Sequence, residues 1–456
     1  MHKLIVASTI ALLLAGSLNA AAGGVIQTKD GQSQKASDIQ AETISGIIWE
    51  KAKNQPGTRV RLWDLDDVRY SGQAMDEFNG LSRKLAGGRA DRLIADAQQM
   101  LNAEKPSGWS DEQWEGVQLS CKFYVAMGRY LEANYGAAVD GLQDYIKEAE
   151  GKLSGVGGLV PRVSFQSAVT GKQVTNGGAL NRFYLDALEA LGLSYLKQGD
   201  AAKATKFAFK PLQDLTEEMS SNSGDKEYFD WSLRALRASA RYAEAQKDYA
   251  GARKSYEDLA RVALTKNAGR PSRAAYEAQL KVGFMQILEG DGSGAQSRFY
   301  DAKRKWEADH TDGIKTRAWQ PRANWIDPDV AYLTAGSYVG MGLVEALKAK
   351  RTDDWAEALE YFSTSLSIFN ADDEIRSMAL LGAANAAAQL AELNKDNKID
   401  VKVGDKTVKK AVTAETYAKL SEKYLSELTT LLPKSKAAED ESIPDIQKII
   451  NEYKGD

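Results

Sequence analysis

The stretch DDWAEALEYFSTSLSIF, residues 353–369, decides how the chain folds. Trp355, Ala358 and Phe362 stand three and then four residues apart, which places them on one face of a helix. Leu359 and Leu366 extend the stripe, while Glu357, Glu360 and Ser363 fall off it. So apolar a face must be covered by another helix. A small residue between two aromatics lets the two axes approach closely, so the stretch is half of a helical hairpin that needs neighbours.

The same theme returns along the chain: LEALGLSYLKQGDAAKATKFAF from Leu188, LRASARYAEAQKDYAGARKSYEDL from Leu236, QLKVGFMQILEGDGSGAQSRFYDA from Gln279, and a shorter NYGAAVDGLQDYI from Asn134. Leu191, Gly192 and Tyr195 fill one face in the first of these, Gly199 ends its helix, and Ala204 marks the close approach of the next. Ala240, Tyr249, Ala252 and Tyr256 hold the corresponding places in the second, and Gly283, Gly290, Ala295 and Phe299 in the third. On these residues the chain resembles the tetratricopeptide repeat family. The resemblance implies a mostly α fold, a right-handed array of antiparallel helix hairpins of the α-solenoid kind, and a protein or peptide partner. The period departs from the family's. From Ala138 through Ala204, Ala252 and Ala295 to Ala358 the steps are 66, 48, 43 and 63 residues, against about 34. Pro211 stands where a small residue is expected, and no first helix for the last hairpin aligns. The array is therefore degenerate and interrupted.

Three inserts account for part of the irregularity. Residues 151–181 are Gly-rich, with a β-hairpin expected around Thr170-Gly171-Lys172; residues 310–329 are long and aromatic; residues 397–412 read as a hairpin turning at Gly404-Asp405. Ahead of the helices, residues 24–72 carry a β pattern: an Asp30-Gly31 turn, SGIIWEK and TRVRLWD flanking NQPG, and a closing LDDVRYSG. A small β domain is expected over 24–72, and it resembles the short β modules that precede helical repeats in some exported bacterial proteins. The helical array is expected over 76–456.

Residues 1–22 read as a signal peptide: Lys3, an apolar run from Leu4 to Leu14, and small residues at Ala20, Ala21 and Ala22, with cleavage expected after Ala22 or Ala20. The run is too short to span a bilayer, and no later segment approaches a transmembrane length, so a soluble periplasmic or secreted protein is expected. The formal charge is −4 over 456 residues, and loss of Lys3 makes it −5. Such balance offers no footprint for nucleic acid or an anionic membrane.

Catalytic chemistry finds few carriers. Cys121 is the only cysteine and lies in an apolar helical stretch, where it reads as a small hydrophobe. Beyond the leader, His310 is the only histidine, so zinc sites built on two histidines are excluded. Asp64, Asp66 and Asp67 in WDLDD read as a solvated strand end rather than an acid pair or a hard-cation site. NKDNKID lacks the Gly and terminal Glu of a calcium loop, and GVGGLVP lacks the Lys and hydroxyl of a phosphate loop. No cofactor or metal is expected.

Arg317, Trp319, Arg322 and Trp325 fall within nine residues of the second insert. Arg and Trp are the types enriched at the energetic centres of interfaces, so this loop is the expected contact surface unless its rings serve as anchors onto the array. Tyr195, Tyr242 and Gln286 are the expected lining of a concave groove. The function these features point to is that of an exported, non-catalytic scaffold for a protein or peptide in the cell envelope. Two other readings stay open: a carbohydrate-binding or envelope receptor, with Trp319 and Trp325 exposed, and a glycosidase or lyase using carboxylates alone.

Overall fold

A computed structural model describes residues 22–52, 55–153, 155, 158–222, 224–266, 272–311, 328–368, 372–394, 398–403, 406–411, 414–433 and 435–453. Most of the expected leader, residues 1–21, lies outside these, as does the loop with Arg317, Trp319, Arg322 and Trp325; the His310 side chain is likewise not described. The fold is mostly α, with helices in antiparallel hairpins and a small β region at the front. It divides into two compact units, Met1–Lys247 and Asp248–Asp456. The stretch from Leu236 that reads as one hairpin falls across that division.

In the first unit, β1 (Gly24–Thr28) pairs antiparallel with both β2 (Ser33–Ala36) and β6 (Leu65–Tyr70). The turn between β1 and β2 is the expected one. Gly31 takes a positive φ of 82° and its N–H donates to the Thr28 carbonyl at 2.9 Å. A second sheet joins β3 (Asp38–Thr43), β4 (Gly46–Glu50) and β5 (Thr58–Val60), all antiparallel.

These strands share their core with helices. Ile26, Ile39, Ile47 and Val68 belong to one buried cluster with Phe78 and Leu81 of α1 (Asp76–Ala86), Leu93 of α2 (Ala90–Leu101) and Phe123 of α3 (Asp111–Leu131). Helix α3 starts where Ser110 accepts from the Gln113 N–H and the Gln113 side chain accepts in return from Ser110. Helix α4 (Tyr135–Gly151) packs back on α3.

The insert at 151–181 holds the expected hairpin, β7 (Phe165–Gln166) with β8 (Gln173–Val174), and it is tied to the front strands. Ile44 N–H donates to the Leu180 carbonyl at 2.8 Å, Ser45 Oγ to the Gly178 carbonyl at 2.9 Å, and Thr43 bridges Asn181. Beside this seam Arg182 and Glu42 form a largely buried ion pair, Nε to Oε2 at 2.8 Å, and the Tyr70 hydroxyl donates to Glu42 Oε1 at 2.8 Å. Burial, with the Glu42 carboxylate next in weight, raises the Tyr70 phenol well above its ordinary value.

Helix α5 (Tyr184–Lys197) ends at Gly199, with φ 77°. The next helix begins as α6 (Ala201–Ala204), widens to a π turn over Thr205–Phe209, and resumes as α7 (Lys210–Asn222). Pro211 explains the widening: it has no N–H for the ladder, and a π turn absorbs the mismatch without ending the helix. Helix α8 (Asp225–Ala245) packs on α7.

The second unit runs through α9 (Tyr249–Lys266), α10 (Arg273–Leu288), α11 (Gly292–Thr311), α12 (Pro328–Lys348), α13 (Thr352–Ser367), α14 (Asp373–Leu393), α15 (Ala414–Leu431) and α16 (Ile443–Tyr453). Each helix through α15 packs on the next, and α10 also touches α12, as α12 touches α14. That second kind of contact marks an array, because it joins the first helices of successive hairpins. The strands β9 (Lys398–Val403) and β10 (Lys406–Ala411) pair antiparallel between α14 and α15; Gly404 and Asp405 lie outside the described residues.

Phe362, from the opening stretch, is fully buried on α13. A Cβ added at Gly342 of α12 or at Gly382 of α14 would collide with its ring. Phe299 of α11 stands in the same way against Gly283 of α10 and Gly340 of α12. Each ring is thus wedged between the first helix of its own hairpin and the first helix of the next. The first helix that could not be aligned in sequence is α12, whose glycines 340 and 342 serve two different rings. Ala138, Ala204, Ala252, Ala295 and Ala358 are all fully buried, as close helix approach requires.

Candidate functional site

In the second unit an open groove of about 690 Å³ runs beside α9, α10 and α11. On α9 the residues Glu257, Ala260, Arg261 and Leu264 recur at three- and four-residue spacing, so one helix face supplies both charge and apolar surface. Val282 and Gln279 come from α10 and Arg298 from α11. Helix α9 is oriented at its start by Asp248, whose carboxylate accepts from the Gly251 N–H at 2.9 Å, and α10 by Ser272, which accepts from Ala275.

The floor is apolar, made by Ala260, Leu264 and Val282, and the rim is charged. Arg298 Nη2 lies 3.7 Å from Glu257 Oε1, and Arg253 reaches both Glu257 at 3.4 Å and Glu289 at 3.0 Å. Arg298 also donates through Nε to Gln286 Oε1 at 3.1 Å, and Gln286 Nε2 donates to Asp291 at 3.2 Å. Arg261, 75% exposed, pairs with Asp258 one turn earlier on its helix. Of the lining charges two are positive and one negative. The groove therefore offers an apolar trough edged by two guanidinium forks, each held by a carboxylate of the protein.

The residues expected to line a groove fall differently. Gln286 is buried, 9% exposed, and its amide is engaged by Arg298 and Asp291, so it positions a lining arginine. Tyr195 is buried in the first unit with its hydroxyl accepting from Gln143 Nε2 at 2.8 Å, and Tyr242 is half-buried against the core of that unit. Sequence reading missed Glu257, Arg261, Leu264, Gln279, Val282 and Arg298. The signal was present in YEDLARVAL, where charged and apolar side chains share one stripe, but a solvated helix face has the same pattern.

Cys121 is fully buried, and desolvation pushes its thiol up to about 12, which leaves almost no thiolate at neutral pH. Asp64 pairs with Arg61 at 2.6 Å and Asp67 with Arg69 at 2.6 Å, while Asp66 is exposed. Among the described residues no group of three or more His, Cys, Asp or Glu is placed to hold a metal ion. No helix among them is long and apolar enough to cross a membrane.

No family model matches the chain, and no curated protein matches it. Among solved structures it is similar to the apo form of RapI, with a TM-score of 0.38 and 9% identity over 84% of this chain and 86% of that one. It is similar to the same extent to NprR, solved in complex with its cognate peptide NprX: TM-score 0.38 and 12% identity, over 84% of this chain and 90% of that one.

Proposed function

We propose that the protein is an exported, non-catalytic scaffold that holds a peptide segment of a protein partner in the groove beside α9, α10 and α11. The observation that carries this is the groove's make-up: an apolar floor of Ala260, Leu264 and Val282 beside the guanidinium forks of Arg261 and Arg298 and the carboxylate of Glu257. It suits a segment with an apolar side chain next to a carboxylate. The apolar group anchors and the arginine forks orient. The leader-like start supports export, and the inert Cys121 supports a role without nucleophilic chemistry. The cluster of Arg317, Trp319, Arg322 and Trp325 is proposed as a further contact of the same partner.

A displayed random-peptide library selected on the full chain tests the reading. Enrichment of an apolar residue beside Asp or Glu is expected, and the selected peptides should lose at least about 2 kcal/mol of binding, roughly 30-fold, on the double change Leu264→Asp and Arg298→Glu. Equal binding by wild type and the double variant, with both equally folded, overturns the site.

A further inference from the structure

The first unit carries a second concavity, a cleft of about 730 Å³ between the β1–β2 turn, the chain from β5 to β6, and α8. Its charges cancel: Lys29, Arg59 and Arg61 against Asp30, Asp64 and Glu227. Most of them are already paired. Arg61 Nε meets Asp64 Oδ2 at 2.6 Å, Arg59 Nη2 meets Glu227 Oε1, and Asp30 accepts from Thr28 Oγ1 at 2.6 Å and from Gln32 Nε2 at 2.9 Å.

The Arg59–Glu227 pair leaves one arm of each partner over. Arg59 Nη1 and Glu227 Oε2 are both buried and both without a hydrogen-bond partner, and the Glu227 side chain is only 8% exposed. Leaving such groups unsatisfied is unfavourable, so a donor and an acceptor stand ready side by side. The indole of Trp63 also lines the cleft, held in an edge-to-face contact with the buried Trp231 at 5.0 Å between ring centroids.

We infer that this cleft is a binding site for a neutral polyhydroxylated ligand, a sugar ring. A hydroxyl both donates and accepts, so two neighbouring hydroxyls satisfy Glu227 Oε2 and Arg59 Nη1 together. An anion or a cation would meet a lining whose opposite charges are present in equal number, with Arg61 held by Asp64 and Arg59 by Glu227, which removes the net attraction either would need. The apolar face of a sugar ring suits the indole of Trp63, a large aromatic surface held rigidly. The cleft belongs to the first unit and the peptide groove to the second, so the two assignments stand or fall separately.

The test is titration of the full chain with maltose, cellobiose and chitobiose, their monomers and tetramers, and with glucuronate and glycine as charged controls, read by calorimetry. At least one neutral sugar should bind, and Glu227→Gln should weaken it tenfold or more. Hydrogen exchange of the wild-type protein at saturating sugar gives a reading that needs no variant: protection should rise over residues 28–34 and 58–65. A monomer that binds as tightly as its tetramer makes the ligand a single ring, and a gain with length makes it a polymer; both uphold the cleft. No binding by any neutral sugar, tighter binding of glucuronate or glycine, or protection confined to other segments overturns it.

Discussion

Phe362 shows what one side chain does in this fold. Its ring fills the space that two absent Cβ atoms leave on α12 and α14, so its packing couples three helices. Gly382→Ala should therefore cost about 1–3 kcal/mol by overpacking, and Phe362→Ala about 3–5 kcal/mol by leaving a cavity. Combined with Phe362→Leu, Gly382→Ala should cost less than the two single changes together, because the smaller side chain makes room for the methyl. Thermal melts of the four proteins check this, and strict additivity would mean that ring and glycine do not share the space. The aromatic was legible in the sequence from its spacing to Trp355 and Ala358. Its partners were not, because Gly336, Gly340 and Gly342 crowd one helix and no spacing rule says which of them faces which ring. The role of Gln286 was not legible for a related reason: a polar side chain on a helix near a groove reads the same whether it lines the surface or holds the arginine that does.

At the scale of the element, helix starts are fixed by local chemistry that sequence states openly. In the first turn of α13, Asp354 takes bonds from the Arg351 guanidinium and from the backbone N–H groups of Lys350 and Arg351. The guanidinium above all, then those N–H groups, hold its carboxyl well below the ordinary 3.8. A carboxyl so depressed stabilises the folded state fully above its ordinary value and loses that contribution as pH falls toward the folded one. The melting temperature of Asp354→Ala should thus lie below that of wild type at pH above about 5, and the gap should close toward pH 2. A gap constant over that range would mean that the carboxylate charge does no stabilising there. The hairpins at 165–174 and 398–411 were legible from Gly and alternation. The π turn was not: Pro211 announced a disturbance, but whether a helix ends or widens at a proline depends on what packs around it.

For the molecule as a whole, the β pattern of residues 24–72 was legible while the core it shares with helices was not. Alternation says which strand residues turn inward and is silent on what they meet. Here Ile26, Ile39 and Val68 belong to the same buried cluster as Phe78, Leu81 and Leu93, so removing the strands would take away part of that core. A protein beginning at Asp76 should keep much of its helical circular dichroism yet lose the sharp melt of residues 76–247, with apolar surface newly exposed to dye. An unchanged, cooperative melt would make the front strands a separate domain.

The seam between the front strands and the insert also sets a clock. Ser45 bonds to a carbonyl 133 residues further along the chain, at Gly178. At synthesis rates of about 5–20 residues per second, roughly 7 to 27 s separate the emergence of the two partners. During that interval β3 and β4 have no Leu180 or Asn181 to close against, and the Glu42 carboxylate waits for Arg182. The beginning of the chain thus stays open while its middle is still being made, the state in which a polypeptide can be threaded end-first through a narrow passage.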